Sequence, residues 1–320
     1  MRYGHIDGID KDVSRIGLGL MLLARGELED DFALLDAAWA SGVTLFDSAY
    51  IYGGGRPDRM FGRWLKARGL AEGVVLLDKC CHHRAGEPMV RPEVITAELN
   101  ECLQRLGLPA IDILVFHRDD PAQPVGPLVE RMNRHIDEGK IRAYGASNWT
   151  HERVAEANAY ADAHGLRPMA VVSNQYSLAE WIEPPWTGGC VSLTGPDGAD
   201  GRAYYASTPM ALINWSSLCG GFFAGRFSRD NLDGFTDEDD RRCVRCYANE
   251  ANFTRLDRAA QLGRRHGATP AQIALAWQLN GPLNAYPLTS ALTPDQAREN
   301  AAAADIPLSA DEVAYLNLEA

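Results

Sequence analysis

Residues 111–118 read IDILVFHR, a short run that is apolar on both of its alternating faces. Strands of a parallel sheet covered on both sides have this composition, because neither face meets water. Similar runs recur along the chain: SRIGLGL (14–20), TLFDSA (44–49), VVLLDKC (74–80), IRAYGASN (141–148), MAVVSNQY (169–176), MALINWSS (210–217) and LNAYPLTS (283–290). The sequence therefore predicts eight buried parallel strands.

Segments with helical periodicity separate these runs, among them 31–42, 91–107, 128–140 and 150–165. Several end in Gly, Lys or His, which helix C-termini prefer. Eight alternations of strand and helix without a linker predict an α/β protein with a single (β/α)8 TIM-barrel domain over residues 1–320. A doubly wound sheet is the alternative, but it would need G-x-G-x-x-G after the first strand, which residues 17–22 lack.

Composition limits the partners of the protein. The chain of 320 residues has a formal net charge of −12, which disfavours nucleic acid and anionic membranes as partners. Apolar runs stay well short of the ~20 residues of a membrane span, and the first 14 residues lack the apolar centre of a signal peptide. We therefore expect a cytoplasmic protein without a nucleic-acid or membrane partner.

Cysteines and histidines suggest two metal sites, and we expect neither. Cys243 and Cys246 form a C-x-x-C pair without a second pair, whereas zinc takes about four ligands. The run CCHH at 80–83 begins at the end of a predicted strand. Adjacent strand residues point to opposite faces, so the four side chains cannot converge on one ion without a turn.

Two segments interrupt the alternation of strands and helices. Residues 184–209 form a predicted long loop rich in Gly, Pro and Asp, and loops that carry their own aromatic side chains are often functional. Residues 228–253 contain an acidic run and follow the seventh strand, at the face where barrel enzymes keep their active sites.

Ionisable or phenolic residues occur at the C-terminal ends of three successive predicted strands. Asp47 and then Tyr52 follow the second strand, Lys79 the third and His117 the fourth. Singly, each has an ordinary structural explanation: a cap for the Asp, a solvent-seeking Lys, a satisfied core His. Together, at one barrel mouth, they indicate a site.

The chemistry of these four side chains is complementary. A Tyr has a pKa near ~10, which a neighbouring ammonium lowers, and a carboxylate can orient that ammonium. A neutral His can donate a hydrogen bond to a carbonyl oxygen beside the Tyr. Such a site protonates a developing alkoxide, and because it contains no obvious nucleophile, the electrons must come from a cofactor.

The chain resembles the aldo-keto reductases in a series of motifs that runs in order from end to end. These are VSRIGLG (13–19), GVTLFDSAYIYGGG (42–55), LLDKC (76–80), DILVFHR (112–118), GKIRAYGASNW (139–149), VVSNQYSL (171–178), NWSSLCGGFFAGRF (214–227) and TPDQARENAAA (293–303). The resemblance implies an NAD(P)-dependent oxidoreductase that reduces an aldehyde or ketone. It makes Tyr52 the general acid, tuned by Lys79 and Asp47, and His117 the residue that orients the carbonyl.

The resemblance also assigns the cofactor contacts. It implies that Ser147, Asn148 and Gln175 hold the nicotinamide carboxamide and that Trp215 stacks on the nicotinamide ring. Ser216, Leu218 and Gly220 would follow the pyrophosphate, Asn300 would hold the adenine, and a loop over about 219–253 would cover the cofactor.

The sequence departs from the family pattern where a basic residue commonly binds the 2′-phosphate of NADP. Ser290, Leu292 and Gln296 stand there and carry no charge, although Arg298 or Arg226 could substitute. NADP is expected on family grounds, with NAD as the alternative. A second departure is Asp78, where a small hydroxyl residue is commoner. Strand alternation predicts that Asp78 points away from Lys79.

The substrate is the least defined part of the site. Trp149, Trp181 and Trp186, with the Tyr204–Tyr205 pair, could wall a pocket for a small-molecule carbonyl or a sugar. Two other functions stay open: a redox-neutral sugar-modifying enzyme that retains its cofactor, and a non-catalytic cofactor-sensing subunit like the potassium-channel β-subunits of the family.

Overall fold

A computed structural model describes residues 1–319. Their strands are β1 (Tyr3–Ile6), β2 (Ile9–Ser14), β3 (Gly17–Gly19), β4 (Leu45–Asp47), β5 (Val75–Cys80), β6 (Ile111–Phe116), β7 (Ile141–Ser147), β8 (Val171–Ser173), β9 (Ala211–Leu212) and β10 (Leu288–Thr289). The α-helices are α1 (Leu28–Ala40), α2 (Arg56–Arg68), α3 (Pro92–Leu106), α4 (Val125–Asp137), α5 (His151–Ala163), α6 (Ala199–Ala206), α7 (Glu238–Tyr247), α8 (Glu250–His266), α9 (Pro270–Leu279), α10 (Pro294–Ala302) and α11 (Ala310–Leu316).

The eight strands β3 to β10 form one parallel sheet in the order β10-β3-β4-β5-β6-β7-β8-β9. A parallel bridge between Leu212 and Ala285 joins β9 to the segment that enters β10, so the sheet closes on itself. Each of the eight predicted apolar runs contains one of these strands. The prediction of a (β/α)8 barrel is therefore confirmed.

Strand alternation divides the apolar residues into two layers. On β5, Val75 and Leu77 pack inside the barrel, whereas Leu76 belongs to the larger cluster between the strands and the helices. The same alternation continues to the end of the strand and places Lys79 inside and Asp78 outside the barrel.

A hairpin of β1 and β2, which the sequence reading did not predict, closes the bottom of the barrel. Its Ile6, Ile9 and Val13 belong to the same apolar cluster as the inward-facing residues of the barrel. Lys11 fixes the hairpin to the start of β6 through an ion pair of 2.8 Å with Asp112. The barrel is therefore open at the C-terminal ends of its strands and filled at the other end.

The two predicted loops are partly helical. Residues 199–206 of the first form α6, and residues 238–247 of the second form α7, each introduced by a short 3-10 turn. The irregular parts of the first loop are thus residues 184–195 and the short stretch 207–209. Within residues 1–319, no helix is both long and apolar enough to cross a membrane.

Candidate active site

Lys79 is the centre of a cluster at the open end of the barrel. Its Nζ atom donates to Asp47 Oδ1, to the carbonyl oxygen of Ser48 at 2.8 Å and to the phenol oxygen of Tyr52 at 3.3 Å. The ring of His117 lies edge-on to that of Tyr52, with 5.9 Å between their centroids. The four residues predicted from the strand ends therefore meet at one place.

The turn after β4 brings Tyr52 back over Lys79. Gly53, Gly54 and Gly55 all have positive φ angles, between 51° and 78°, which residues with a Cβ atom rarely adopt. Three consecutive glycines permit this reversal, after which α2 begins at once. Arg105 of α3 supports the turn by donating to the carbonyl oxygen of Tyr50 at 2.7 Å.

Burial and charge set the protonation states of the cluster. Burial raises the pKa of Tyr52, and the Lys79 ammonium opposes that rise without cancelling it. Burial alone would lower the pKa of Lys79, but the charge of Asp47 raises it above its usual value. Burial raises the pKa of Asp47 against the opposing effect of Lys79. These directions favour a protonated phenol at Tyr52 and a charged ammonium at Lys79.

His117 is neutral, as the sequence predicts. Burial lowers its pKa well below the usual value, and the positive charge of Lys79 adds to the effect. Its Nδ1 atom is buried without a hydrogen-bond partner in residues 1–319. A neutral imidazole can donate or accept one hydrogen bond on each ring nitrogen, depending on its tautomer.

Asp78 faces the opposite side of β5, as strand alternation predicts. It lies fully buried with Asp58 of α2 and Cys102 of α3. One carboxylate oxygen of each aspartate and the Sγ atom of Cys102 lie within 4.8 Å of one another. Burial raises the pKa of Asp78 to about 8, and the Asp58 carboxyl adds to the rise. Asp58 accepts a hydrogen bond from Ser48, the residue between Asp47 and the Tyr52 turn. This acidic cluster therefore lies on the outer side of the strand ends that carry Asp47 and Lys79.

The residues expected to hold the nicotinamide carboxamide are in contact with the first irregular loop. The backbone N–H of Val191 donates to Asn148 Oδ1 at 3.3 Å, and the Ser192 hydroxyl donates to Gln175 Oε1. Asn148 also donates to Ser147 Oγ at 3.0 Å. The segment around Val191 thus donates hydrogen bonds to the same amide groups that the family resemblance expects to bind the cofactor.

Trp215 lies between two other indoles at the barrel mouth. Its ring centroid is 6.2 Å from that of Trp181 and 5.3 Å from that of Trp186, which is 38% exposed. Trp181, Trp186 and Trp215 therefore form one aromatic group beside Gln175, with which Trp215 forms a β-bridge.

Trp149 does not belong to that aromatic group, which corrects the expectation that it lines the substrate pocket. It is wholly buried, stacks on Phe116 at 5.0 Å and donates its indole N–H to the carbonyl oxygen of Arg118. Phe116 faces the outer layer between strands and helices, so Trp149 is part of that core. Tyr205 of α6 is likewise buried in the outer layer.

The residues expected near the pyrophosphate lie in turns after β9, and the residue expected near the adenine lies on α10. Ser216 has a positive φ angle, Leu218 is half-buried, and Gly220 is followed by Gly221, both of them left-handed. In the last turn of α10, Asn300 donates to the carbonyl oxygen of Ser290 at 3.1 Å.

The side chains available for a 2′-phosphate are already bonded. Gln296 accepts from the backbone N–H of Leu292 at 2.8 Å. Arg298 pairs with Asp295 at 2.6 Å, and Arg226 pairs with Asp240 at 2.7 Å. Both arginines are more than half exposed, so each pair is open to solvent and weak.

Comparison with known proteins decides the family. The model of the Aldo/keto reductase family matches residues 15–318. The chain belongs to the aldo/keto reductase family.

Relatives within the family include enzymes and channel subunits. The aldo-keto reductase str7 of Strobilurus tenacellus is 33% identical over 94% of this chain and 87% of its own length. A probable voltage-gated potassium channel subunit beta of Oryza sativa is 25% identical over 98% of this chain and 94% of its own length.

Solved aldo/keto reductases share the fold at lower identity. The glycerol dehydrogenase of Gluconobacter oxydans has a TM-score of 0.80 at 21% identity, covering 99% of this chain and 94% of its own. An aldo/keto reductase of Klebsiella pneumoniae in complex with NADP and acetate has a TM-score of 0.72 at 23% identity, covering 99% and 95%.

Sequence reasoning missed several residues of this aldo/keto reductase site. Asn174 accepts the backbone N–H of Asn148 at 2.7 Å and so fixes its left-handed conformation. Arg118 directly follows His117, and the guanidinium of Arg118 lies close to the Cys190 thiol. A signal for Arg118 did exist, because it directly follows His117 in the motif that placed that histidine.

Proposed function

We propose that this aldo/keto reductase is an NAD(P)-dependent oxidoreductase that reduces an aldehyde or ketone, with Tyr52 as the general acid. The observation that carries the proposal is the position of Lys79, whose buried ammonium bonds to both Tyr52 and Asp47 beside a neutral histidine. This is the set of groups that protonation of a carbonyl oxygen requires.

The roles follow from the charges of the side chains. Tyr52 donates its phenolic proton to the carbonyl oxygen as negative charge develops there, and Lys79 stabilises the phenolate that remains. Asp47 and the carbonyl oxygen of Ser48 hold the ammonium in place. His117 directs the carbonyl oxygen towards Tyr52. In the oxidative direction Tyr52 takes the proton back.

The residues at the mouth fit a nicotinamide dinucleotide by their chemistry. They offer neutral amides in Asn148 and Gln175, an indole in Trp215 and left-handed turns around Gly220, and these would hold the carboxamide, the ring and the pyrophosphate. A bound reduced nicotinamide supplies the hydride for the carbonyl carbon.

NADP is the proposed cofactor, and NAD is the alternative. The family favours NADP, and a solved relative of the same fold is described in complex with it. Arg226 and Arg298 already pair with aspartates, which weakens the case for a strong preference for NADP over NAD. Fluorescence titration with NADPH and NADH tests this: we expect the two dissociation constants to lie within about an order of magnitude, since a single exposed ion pair contributes under about 1 kcal/mol.

The test of the enzymatic proposal is a screen of aldehydes, ketones and sugars with both reduced cofactors, followed by the loss of NAD(P)H absorbance. We expect turnover with at least one carbonyl compound and its loss in a folded Tyr52→Phe variant. Turnover of no compound by a protein that binds cofactor would contradict the proposal.

A cofactor-sensing subunit is the second candidate, supported by the potassium-channel β-subunits among the relatives. It would bind NAD(P)H with little or no turnover. Retention of Tyr52, Lys79 and Asp47 in bonded positions, with His117 beside them, favours the enzyme, because a sensor needs no proton donor.

A further inference from the structure

Arg118 is a buried cation that pairs with no carboxylate among residues 1–319. It directly follows His117 beyond the end of β6 and is 5% exposed. Its Nε atom is buried without a hydrogen-bond partner in the part of the chain that the structure describes. No ion pair formed within residues 1–319 includes it, although the other buried arginine, Arg255, pairs with Glu180.

A buried charge without a counter-ion is unfavourable. The effective cost of removing an ion from water is several kcal/mol, and an opposite charge with good hydrogen-bond geometry offsets it. The guanidinium group matches a planar carboxylate, to which it can donate two parallel hydrogen bonds. An anionic ligand at Arg118 would therefore supply the negative counter-charge that residues 1–319 do not provide.

The surroundings of Arg118 are neutral and lie at the barrel mouth. Burial lowers the pKa of His82, and the Arg118 charge adds to that effect; the His82 ring is 4.7 Å from that of His117. Burial raises the pKa of the Cys190 thiol, with the Arg118 guanidinium close enough to oppose the rise. Arg118 thus lies between the loop after β5, His117 and the segment around Cys190.

A second polar atom in the same loop also lacks a partner. His83 Nε2 is buried without a hydrogen bond to any of residues 1–319, and its ring lies against Gly188 of the segment that carries Cys190. Two imidazoles and one guanidinium therefore surround the edge of the mouth nearest His117.

We propose that Arg118 binds a carboxylate group of the substrate, so that the compound reduced at Tyr52 is a carbonyl compound that also carries a carboxylate. This inference rests on the proposed function for the position of the reacting carbonyl. One guanidinium among neutral neighbours suits a single negative charge better than a phosphate dianion. The pyrophosphate is expected at Ser216 to Gly220 beyond β9, with β7 and β8 between it and Arg118, so the anion belongs to the substrate.

The test compares acid and ester forms of one aldehyde. Values of kcat/KM are measured for three pairs: 4-formylbenzoate, succinic semialdehyde and glyoxylate, each against its methyl ester. We expect the wild type to prefer the acid in the pair it uses best. Arg118→Met should reduce kcat/KM for that acid by about tenfold to a hundredfold, the effect of losing a hydrogen bond to a charged group. The value for the ester should change by less than about threefold.

Two further variants make the result specific. Arg167→Met removes an exposed arginine and the same unit of charge, and it should leave the acid-to-ester ratio unchanged. Arg118→Lys keeps the charge but not the planar guanidinium, so it should retain part of the preference for the acid over the ester. If circular dichroism shows that Arg118→Met is unfolded, Arg118→Lys takes its place. An acid-to-ester ratio near one in the wild type, or one that Arg118 substitution leaves unchanged, would overturn the proposal.

Failure of the proposed function can be told apart from failure of this inference. If no aldehyde is reduced, calorimetric titration of the wild type and of Arg118→Met with the same acids and esters, at saturating NADP⁺, still measures the carboxylate preference. Tighter binding of the acid that depends on Arg118 supports the carboxylate site in a protein that is not a reductase. Equal binding of acid and ester rejects the site.

Discussion

The Nζ atom of Lys79 lies 3.3 Å from the phenol oxygen of Tyr52, and it also lies 4.9 Å from the centre of the same ring. The ammonium is thus beside the hydroxyl end of the ring. From this position it stabilises negative charge on the phenol oxygen more than anywhere else on Tyr52. The contact therefore favours loss of the proton from a tyrosine whose burial opposes it.

Tyr52→Phe should remove the proton donor and leave the fold intact. The ring keeps its packing, whereas the carbonyl oxygen loses its acid, so we expect reduction to fall by about 10²–10⁴-fold. Steady-state rates measure the loss, while quenching of NAD(P)H fluorescence and the melting temperature should stay near wild type. A Phe variant with near-normal turnover would exclude Tyr52 as the acid.

Lys79→Met should affect both activity and stability. Loss of the cation raises the pKa of Tyr52 further, so the alkaline fall of the pH–rate profile for reduction should move to higher pH. Asp47 is left buried without its counter-ion, which should cost about 3–5 kcal/mol of unfolding free energy.

The double variant Lys79→Met with Asp47→Asn separates the two effects. It should recover much of the stability, because the uncompensated carboxylate is gone, and none of the activity. Chemical denaturation and the pH–rate profile are the measurements. A pH–rate profile identical to wild type in a folded Lys79→Met protein would show that Lys79 is not coupled to the acid.

Asp78 should make the protein less stable as the pH rises. In the folded protein Asp78 keeps its proton up to about pH 8, whereas in the unfolded chain it releases the proton near its ordinary value of 3.8. Between these values the folded state binds more protons. The free energy of unfolding therefore falls with rising pH, at up to about 1.4 kcal/mol per pH unit.

Asp78→Asn should remove this part of the pH dependence and stabilise the protein at pH 8. The amide imitates the protonated carboxyl among the groups that face it, which are Asp58, Cys102 and the backbone N–H of Lys79. Urea denaturation between pH 5 and pH 8 measures the slope, with the exposed Asp230→Asn as the control. An equally steep slope in the Asp78 variant would show that another group causes it.

Cofactor binding should require the segment around Ser192 to release Gln175. Each hydrogen bond broken costs about 0.5–1.5 kcal/mol, so Ser192→Ala should tighten NAD(P)H binding by about two- to tenfold. Stopped-flow fluorescence should show a slow second phase in the wild type that is faster in the variant. Ser207→Ala, at the end of α6, is the control. Weaker binding in the Ser192 variant would mean that the segment holds the cofactor instead.

The sequence predicted those features that depend on local alternation. The eight apolar runs, the inward direction of Lys79 and the outward direction of Asp78 all follow from the two-residue period of a strand. The hairpin was missed because its Ile6, Ile9 and Val13 are separated by charged residues and become a core only against distant strands. Trp149 was misplaced for a similar reason, since its burial depends on Phe116, more than thirty residues earlier.

The contact of Val191 and Ser192 with Asn148 and Gln175 could not be predicted either. It joins residues more than fifteen positions apart through a loop without periodicity, so no local pattern encodes it. For Arg118 the opposite holds, since its position in the chain was plain from the sequence. Its interpretation as an anion site depends on the lack of a carboxylate partner among residues 1–319, which only coordinates can show.

The hairpin of β1 and β2 covers the base of the barrel. Its Ile6, Ile9 and Val13 pack there with the inward-facing apolar residues of the strands, and such an apolar layer disfavours the passage of water. A Tyr52 that has given up its proton must regain it from the same opening through which substrate enters and product leaves. Reprotonation of the acid and departure of the alcohol therefore compete for one channel.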